Sequence, residues 1–65
     1  MNNTALLAAA KIIATTALET MAAHAGCTVD AILAAIKADE NGATARRYVA
    51  LVEIGINAAG KIVAA

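Results

Sequence analysis

The 65-residue chain is 62% hydrophobic and 15% charged, with a mean hydropathy of +0.72. A domain of this length buries only about 60% of the surface that its unfolded chain exposes, so an isolated copy leaves much apolar surface uncovered. Five basic and five acidic residues give a formal net charge of zero, which disfavours binding to nucleic acid and to anionic membranes. We therefore expect a single helical domain, residues 1–65, that assembles as a homodimer or a higher oligomer.

The first element is a helix predicted at about residues 4–24. Residues 2–4 are helix-capping types, and from Ala5 onward the apolar residues, Leu6 and Leu7 among them, recur at the spacing of one helix face. Gly26 is expected to close this helix in the left-handed conformation. The segment 16–19 has the form of a capping box, so a break in this helix, giving four helices in total, is the alternative.

A short second helix is predicted at 29–38, and a third at 44–64. Thr28 and Thr44 are the expected N-caps of these helices, and Gly42 is the expected terminator of the polar turn between them. Twenty alanines favour closely packed helix axes. The predicted fold class is all-α, a compact three-helix bundle.

Small residues mark the predicted close contact between helices. A glycine inside a helix costs about 1 kcal/mol relative to alanine, so Gly55 needs a compensating contact. Gly55 and Ala59 lie four residues apart on the apolar half of the third helix, and small side chains of the first helix offer a matching shallow groove: Ala10, Ala14 and Ala17. We expect one contact between these sets, either within the chain or across a dimer axis.

The predicted partner surface consists of residues that do not fit the pattern of their helices. Arg46 and Arg47 open the third helix, where positive charge opposes the helix dipole. A local ion pair with the acidic turn 39–40 is the simpler explanation, and docking to an acidic protein surface is the alternative. Ile12 and Ile54 lie on the polar sides of the two long helices, which indicates a second contact surface.

Few side chains in this sequence are of the types that bind metals or act in catalysis. His24 and Cys27 are the only histidine and cysteine, whereas tetrahedral zinc needs four ligands. No third group is placed to orient a Cys–His nucleophile pair, and we expect Cys27 to be a small buried side chain. We predict no enzyme activity, no catalytic residue, no metal and no cofactor.

The sequence also predicts the cellular compartment of the protein. One cysteine cannot form an internal disulfide, which fits a reducing compartment. Lys11 interrupts the first apolar stretch, which argues against a secretory signal, and the charge-free segment 20–29 is too short to span a bilayer. We expect a cytoplasmic protein that makes no membrane contact.

Residues 18–37 resemble a helix-turn-helix unit. The positions that carry the resemblance are Met21, Ala22, Gly26, Cys27, Thr28, Ile32 and Ala35. The resemblance implies a DNA-binding regulator, but the outward positions of its second helix suit neither phosphates nor base edges: Val29, Asp30, Leu33 and Ala34, with Lys37 as the one basic residue.

These features predict a small, non-enzymatic, helical protein-interaction module that binds itself and another protein. We expect it to act as an adaptor or inhibitor, by analogy as an accessory protein of a phage or mobile element. A degenerate helix-turn-helix regulator that binds DNA is the alternative. A membrane-active helical peptide, suggested by the alanine- and isoleucine-rich composition, is the third interpretation.

Overall fold

The computed structural model describes residues 3–64, with side chains described for residues 4–62. Three α-helices make up this part of the chain: α1 (Asn3–Ala25), α2 (Val29–Ala38) and α3 (Ala43–Ala64). α1 packs mainly against α3, and α2 packs against both. The predicted all-α, three-helix bundle is therefore confirmed. α1 runs through the segment 16–19 without a break, so the four-helix alternative is wrong. Of the predicted cap residues, Asn3 and Thr4 already lie within α1, and residue 2 lies outside the described residues.

A closed turn of three residues joins α1 to α2. Gly26 has a φ of 69°, in the left-handed region that glycine adopts without a steric cost. The amide of Cys27 donates to the carbonyl of Ala22 at 3.0 Å, which is the long bond of a Schellman motif. The hydroxyl of Thr28 accepts from the amide of Ala31 at 3.1 Å. The predicted terminator and N-cap are both confirmed.

The turn between α2 and α3 differs from the prediction. The amide of Arg46 donates to the carbonyl of Gly42 at 3.1 Å, so Gly42 occupies the N-cap position and α3 begins at Ala43. Thr44 is therefore an interior residue of the helix and not its cap. Gly42 does not adopt a positive φ. A Cβ there would lie 2.6 Å from a carboxylate oxygen of Asp39, so a larger residue at this position would require the flexible Asp39 side chain to shift.

The buried core is small and lies where α2 covers α1. Met21, Ala22 and Ile32 form its centre. Partly buried side chains surround them: Leu18, Val29, Ile36, Tyr48 and Leu51. Within the described part of the chain, only Ala17 and Ala45 are also buried, and no side chain is fully enclosed. The apolar composition is therefore not matched by a large core.

The lengths of the helices explain this small core. α2 has 10 residues, or about 15 Å, whereas α1 has 23 residues, or about 35 Å. α2 therefore covers less than half of the α1–α3 pair. The molecule measures 36 × 21 × 16 Å, and its radius of gyration is 12.9 Å, against about 11 Å for a typical domain of this length. The bundle is elongated and partly uncovered.

Candidate protein-interaction surfaces

α1 and α3 cross most closely at Gly55. A Cβ at this position would lie 2.5 Å from Cγ2 and 3.2 Å from Cγ1 of Ile13, so the Ile13 side chain occupies the space that any larger residue would need. Ala17 is buried beside this crossing, and the other predicted packing residues are half-buried: Ala10, Ala14 and Ala59. The predicted crossing at Gly55 lies within the chain. The three atoms nearest to that Cβ position all belong to Ile13, a residue that the predicted contact did not include.

Ile12 and Ile54 lie together on one side of this crossing. Their side chains are 68% and 66% exposed, and both line an open groove of about 260 Å³ between α1 and α3. We call this groove the α1–α3 face; its lining residues are Ile12, Ile13, Thr16, Ala17, Thr20, Leu51, Ile54 and Gly55. Two residues that were out of pattern on separate helices thus belong to one apolar surface.

Arg46 and Arg47 do not form one basic surface. Arg47 lies two helical turns from Ile54, so it shares the side of α3 that carries the α1–α3 face, and it borders a concavity with His24 and Thr44. Arg46 points to another side of α3, where Glu40 and Glu53 border a second concavity. Of the predicted partner residues, the structure therefore brings Ile12 and Ile54 together in one groove, and Arg47 lies on the same side of α3 beside a different concavity.

The expected local ion pair is not formed. No carboxylate among the described residues is within ion-pair distance of Arg46 or Arg47. Asp39 instead accepts a hydrogen bond from the amide of Asn41 at 3.3 Å through its side-chain oxygen. Because α3 begins at Ala43, the two arginines are its fourth and fifth residues, which lie at the edge of the region where the helix dipole acts.

Glu19 was not predicted as a site residue. It lies two helical turns after Ile12 on α1, and the two side chains border the same concavity together with Thr15 and Thr16. Glu19 has no ion-pair partner in residues 4–62. The spacing of Ile12 and Glu19 on α1 mirrors that of Ile54 and Arg47 on α3, and this repeat was the available sequence signal.

A second apolar concavity lies at the end of the bundle that α2 does not reach. Leu6, Leu7, Ala10 and Ile56 line this end groove, which has a volume of about 420 Å³. Leu7 belongs to the predicted apolar stripe of the first helix, yet its side chain is 66% exposed. Its exposure follows from the short α2, which provides no side chains to cover it.

The side chains that could take part in catalysis or bind a metal are dispersed over the molecule. Cys27 is exposed in the α1–α2 turn, so its predicted burial is wrong. His24 is exposed in the last turn of α1. Among the described residues, no three histidine, cysteine, aspartate or glutamate side chains lie close enough to hold a metal ion.

α1 combines length and apolar character. Over Thr4–Ala25 it is long and apolar enough to cross a bilayer, and it is the only described helix that meets both conditions. Most of this helix is exposed in the isolated chain. Core helices of soluble proteins and signal sequences share this composition.

Comparison with known proteins gives no relative. The chain matches no protein-family model, and no curated protein or solved structure is significantly similar to it.

Proposed function

We propose that this protein is a small, non-enzymatic, helical interaction module. The observation that carries the proposal is the convergence of Ile12 and Ile54, two strongly exposed isoleucines, on the single α1–α3 face. A soluble monomer gains nothing from two exposed isoleucines that border the same groove, whereas a partner chain would remove both from water. The groove is lined by aliphatic and threonine side chains, so it suits an apolar helix face.

Two separate apolar surfaces support the role of an adaptor or inhibitor. The α1–α3 face and the end groove share no lining residue, so one can be occupied while the other remains open. A protein that binds itself through one surface and another protein through the second acts as a connector.

A photo-crosslinking experiment in cells that produce the protein tests this proposal. A photoreactive amino acid at position 12 should give a covalent adduct, whose mass identifies the bound chain. The same amino acid at Glu53, which is exposed on the other side of α3 and borders a different concavity, is the matched control. Equal labelling from both positions, or none from position 12, contradicts the proposal.

A DNA-binding function is the second candidate, and the three-residue turn around Gly26 is the observation that favours it. The exposed residues of α2 include Asp30, Leu33 and Lys37, a set with no net positive charge. Titration of DNA binding against salt is the test, because phosphate contacts produce a steep loss of affinity as salt rises. Binding that is absent at low salt excludes this function.

Membrane activity is the third candidate, and the long apolar α1 is the observation that favours it. Release of a trapped dye from vesicles measures this activity directly. Variants with Ile12→Lys should lose it, because a lysine in the middle of a spanning helix costs about 3 kcal/mol. Vesicles that stay intact at micromolar protein exclude the candidate.

A further inference from the structure

We propose that the α1–α3 face is the interface of a homodimer in which α1 of each copy packs antiparallel against α3 of the other. Ile12 then contacts Ile54 of the second copy, and Glu19 forms an ion pair with Arg47 of the second copy. This inference rests on the proposed function, because it names the chain that occupies the α1–α3 face. The dimer is an antiparallel four-helix arrangement of α1 and α3 from both copies, with each α2 on the outside.

The register of the two helices carries the first part of the argument. Ile12 and Glu19 are two helical turns apart on α1, and Arg47 and Ile54 are two turns apart on α3, in the reverse order. In an antiparallel pair, the register that sets Ile12 against Ile54 therefore also sets Glu19 against Arg47. α1 and α3 already run antiparallel in this register within one chain, where the two isoleucines line one groove but Glu19 and Arg47 form no ion pair. Packing between two copies repeats the register and makes both contacts.

The alternative twofold packing fails on charge. If like helices met across the axis, with Ile54 against Ile54, then Arg47 would lie opposite Lys61 of the second copy. With Ile12 against Ile12, Glu19 would lie opposite Ala5. The first contact is repulsive and the second leaves the carboxylate without a cation. Of these three alignments, only the packing of α1 on α3 sets opposite charges together.

Neither member of the proposed pair is used within the chain. Glu19 is exposed, Arg47 is exposed, and neither forms an ion pair in the described part of the chain. Twofold symmetry repeats each contact, so one dimer contains two Glu19–Arg47 pairs that flank a centre of four isoleucines. Opposite charges at the rim fix the register, while the apolar centre provides the contact area.

The exposed area of the chain matches a dimer of ordinary size. The isolated chain exposes 4687 Å², whereas a compact monomer of 6.5 kDa exposes about 3,800 Å². The excess of roughly 900 Å² is close to the area of about 800 Å² that each partner buries in a standard interface. Closing one such interface gives each copy the exposure of a normal small domain.

Reversing the charges at the proposed pair tests the register. Glu19→Arg or Arg47→Glu alone sets like charges together at two sites and should weaken dimerisation at least about tenfold, measured by sedimentation equilibrium. The double variant with both reversals should restore the wild-type dissociation constant to within about threefold. The matched control is the pair Arg46→Glu and Glu53→Arg on the other side of α3, which should leave dimerisation unchanged.

Disulfide capture tests the geometry independently. In a Cys27→Ser background, variants carrying Ile12→Cys and Ile54→Cys are mixed and oxidised under mild conditions. The mixed 12–54 disulfide should form in clear preference to the 12–12 and 54–54 products. A preference for either symmetric product, or equal amounts of all three, overturns the proposed packing.

These experiments separate the dimer from the broader proposed function. If the wild-type chain is monomeric at high micromolar concentration, yet position 12 crosslinks to a different protein in cells, the homodimer is excluded and the interaction function stands. If position 12 crosslinks to no chain at all, both proposals fail. Circular dichroism of each variant confirms that helix content is unchanged, so a loss of association reports on the interface.

Discussion

Gly55 stands in the interior of α3, where alanine would favour the helix by about 1 kcal/mol. The side chain of Ile13 explains the glycine, because its Cγ2 atom lies 2.5 Å from where a Cβ would be. Ile13 branches at Cβ and has one strongly preferred χ1 rotamer in a helix, so that methyl group has little freedom to rotate away. The crossing of the two long helices therefore depends on one residue having no side chain.

Substitution by alanine at two glycines separates helix propensity from packing. Gly60→Ala meets no atom within 4 Å and should stabilise the protein by up to about 1 kcal/mol. Gly55→Ala should instead destabilise it, despite the same gain in propensity, because α1 and α3 must move apart. Gly55→Leu should be worse, by roughly 1–3 kcal/mol or more. Urea denaturation at one fixed protein concentration measures both effects.

The partner residue provides the control for this prediction. Ile13→Ala removes the obstructing methyl group, so the penalty of Gly55→Ala should shrink in the Ile13→Ala background. A favourable coupling of about 1 kcal/mol in this double-mutant cycle indicates a direct contact. A Gly55→Ala protein as stable as Gly60→Ala would show that the crossing is loose.

At the scale of the elements, the start of α2 depends on one hydroxyl group. The Thr28 hydroxyl accepts from the Ala31 amide at 3.1 Å, while the Thr15 hydroxyl donates to the Lys11 carbonyl at 3.0 Å inside α1. The first bond satisfies an amide that has no partner in the helix, whereas the second duplicates a bond that the carbonyl already makes.

Removing each hydroxyl should therefore give different results. Thr28→Ala should destabilise the protein by about 1 kcal/mol, because the cap of α2 is lost. Thr15→Ala should be neutral or slightly stabilising, since alanine is the better helix former. Thermal unfolding at matched concentrations compares the two. Equal midpoints for both variants would mean that α2 is held by packing alone.

The two arginines of α3 should also behave differently, although they are neighbours in sequence. They lie at the edge of the first turn, so reversing either charge should change the stability of an isolated copy by no more than about 0.5 kcal/mol. Arg47→Glu should reduce capture of the partner that crosslinks at position 12, because Arg47 shares the side of α3 with Ile54. Arg46→Glu should leave that capture unchanged. An equal loss of partner capture in both variants would indicate that Arg46 and Arg47 bind the partner together.

At the scale of the whole molecule, apolar surface exceeds what three helices of unequal length can cover. Fully burying an isoleucine side chain contributes about 1.5–3 kcal/mol, so Ile12 and Ile54 represent a substantial driving force for association. The small core of the isolated chain suggests modest stability by itself. Association and folding should therefore be thermodynamically linked.

This linkage predicts that stability depends on protein concentration. The thermal midpoint should rise with concentration, and sedimentation equilibrium at low micromolar concentration should show at least a dimer. Ile12→Lys should yield a monomer with a lower midpoint that no longer varies with concentration. Leu33→Lys on α2, where the leucine is 46% exposed, is the control and should retain the dimer. A stable wild-type monomer would contradict the prediction.

The sequence by itself determined the helices and most of their ends, because those depend on local interactions. Gly26 and Thr28 were identified from residue type, since a left-handed residue and a capping hydroxyl act within one turn. Thr44 was misjudged because Gly42 satisfies the same role two residues earlier, and both are acceptable caps.

Only the tertiary structure decided which surfaces meet and which remain open. Periodicity placed Leu7 on an apolar stripe, but the length of α2 left it uncovered. The sequence predicted a second contact surface from Ile12 and Ile54, but only the antiparallel packing of α1 and α3 set the two side chains side by side. The same packing separated Arg46 from Arg47. Helical spacing fixes the direction in which a side chain points around the axis of its helix. The relative positions of two helix axes depend instead on contacts between residues distant in sequence, such as Ile13 and Gly55.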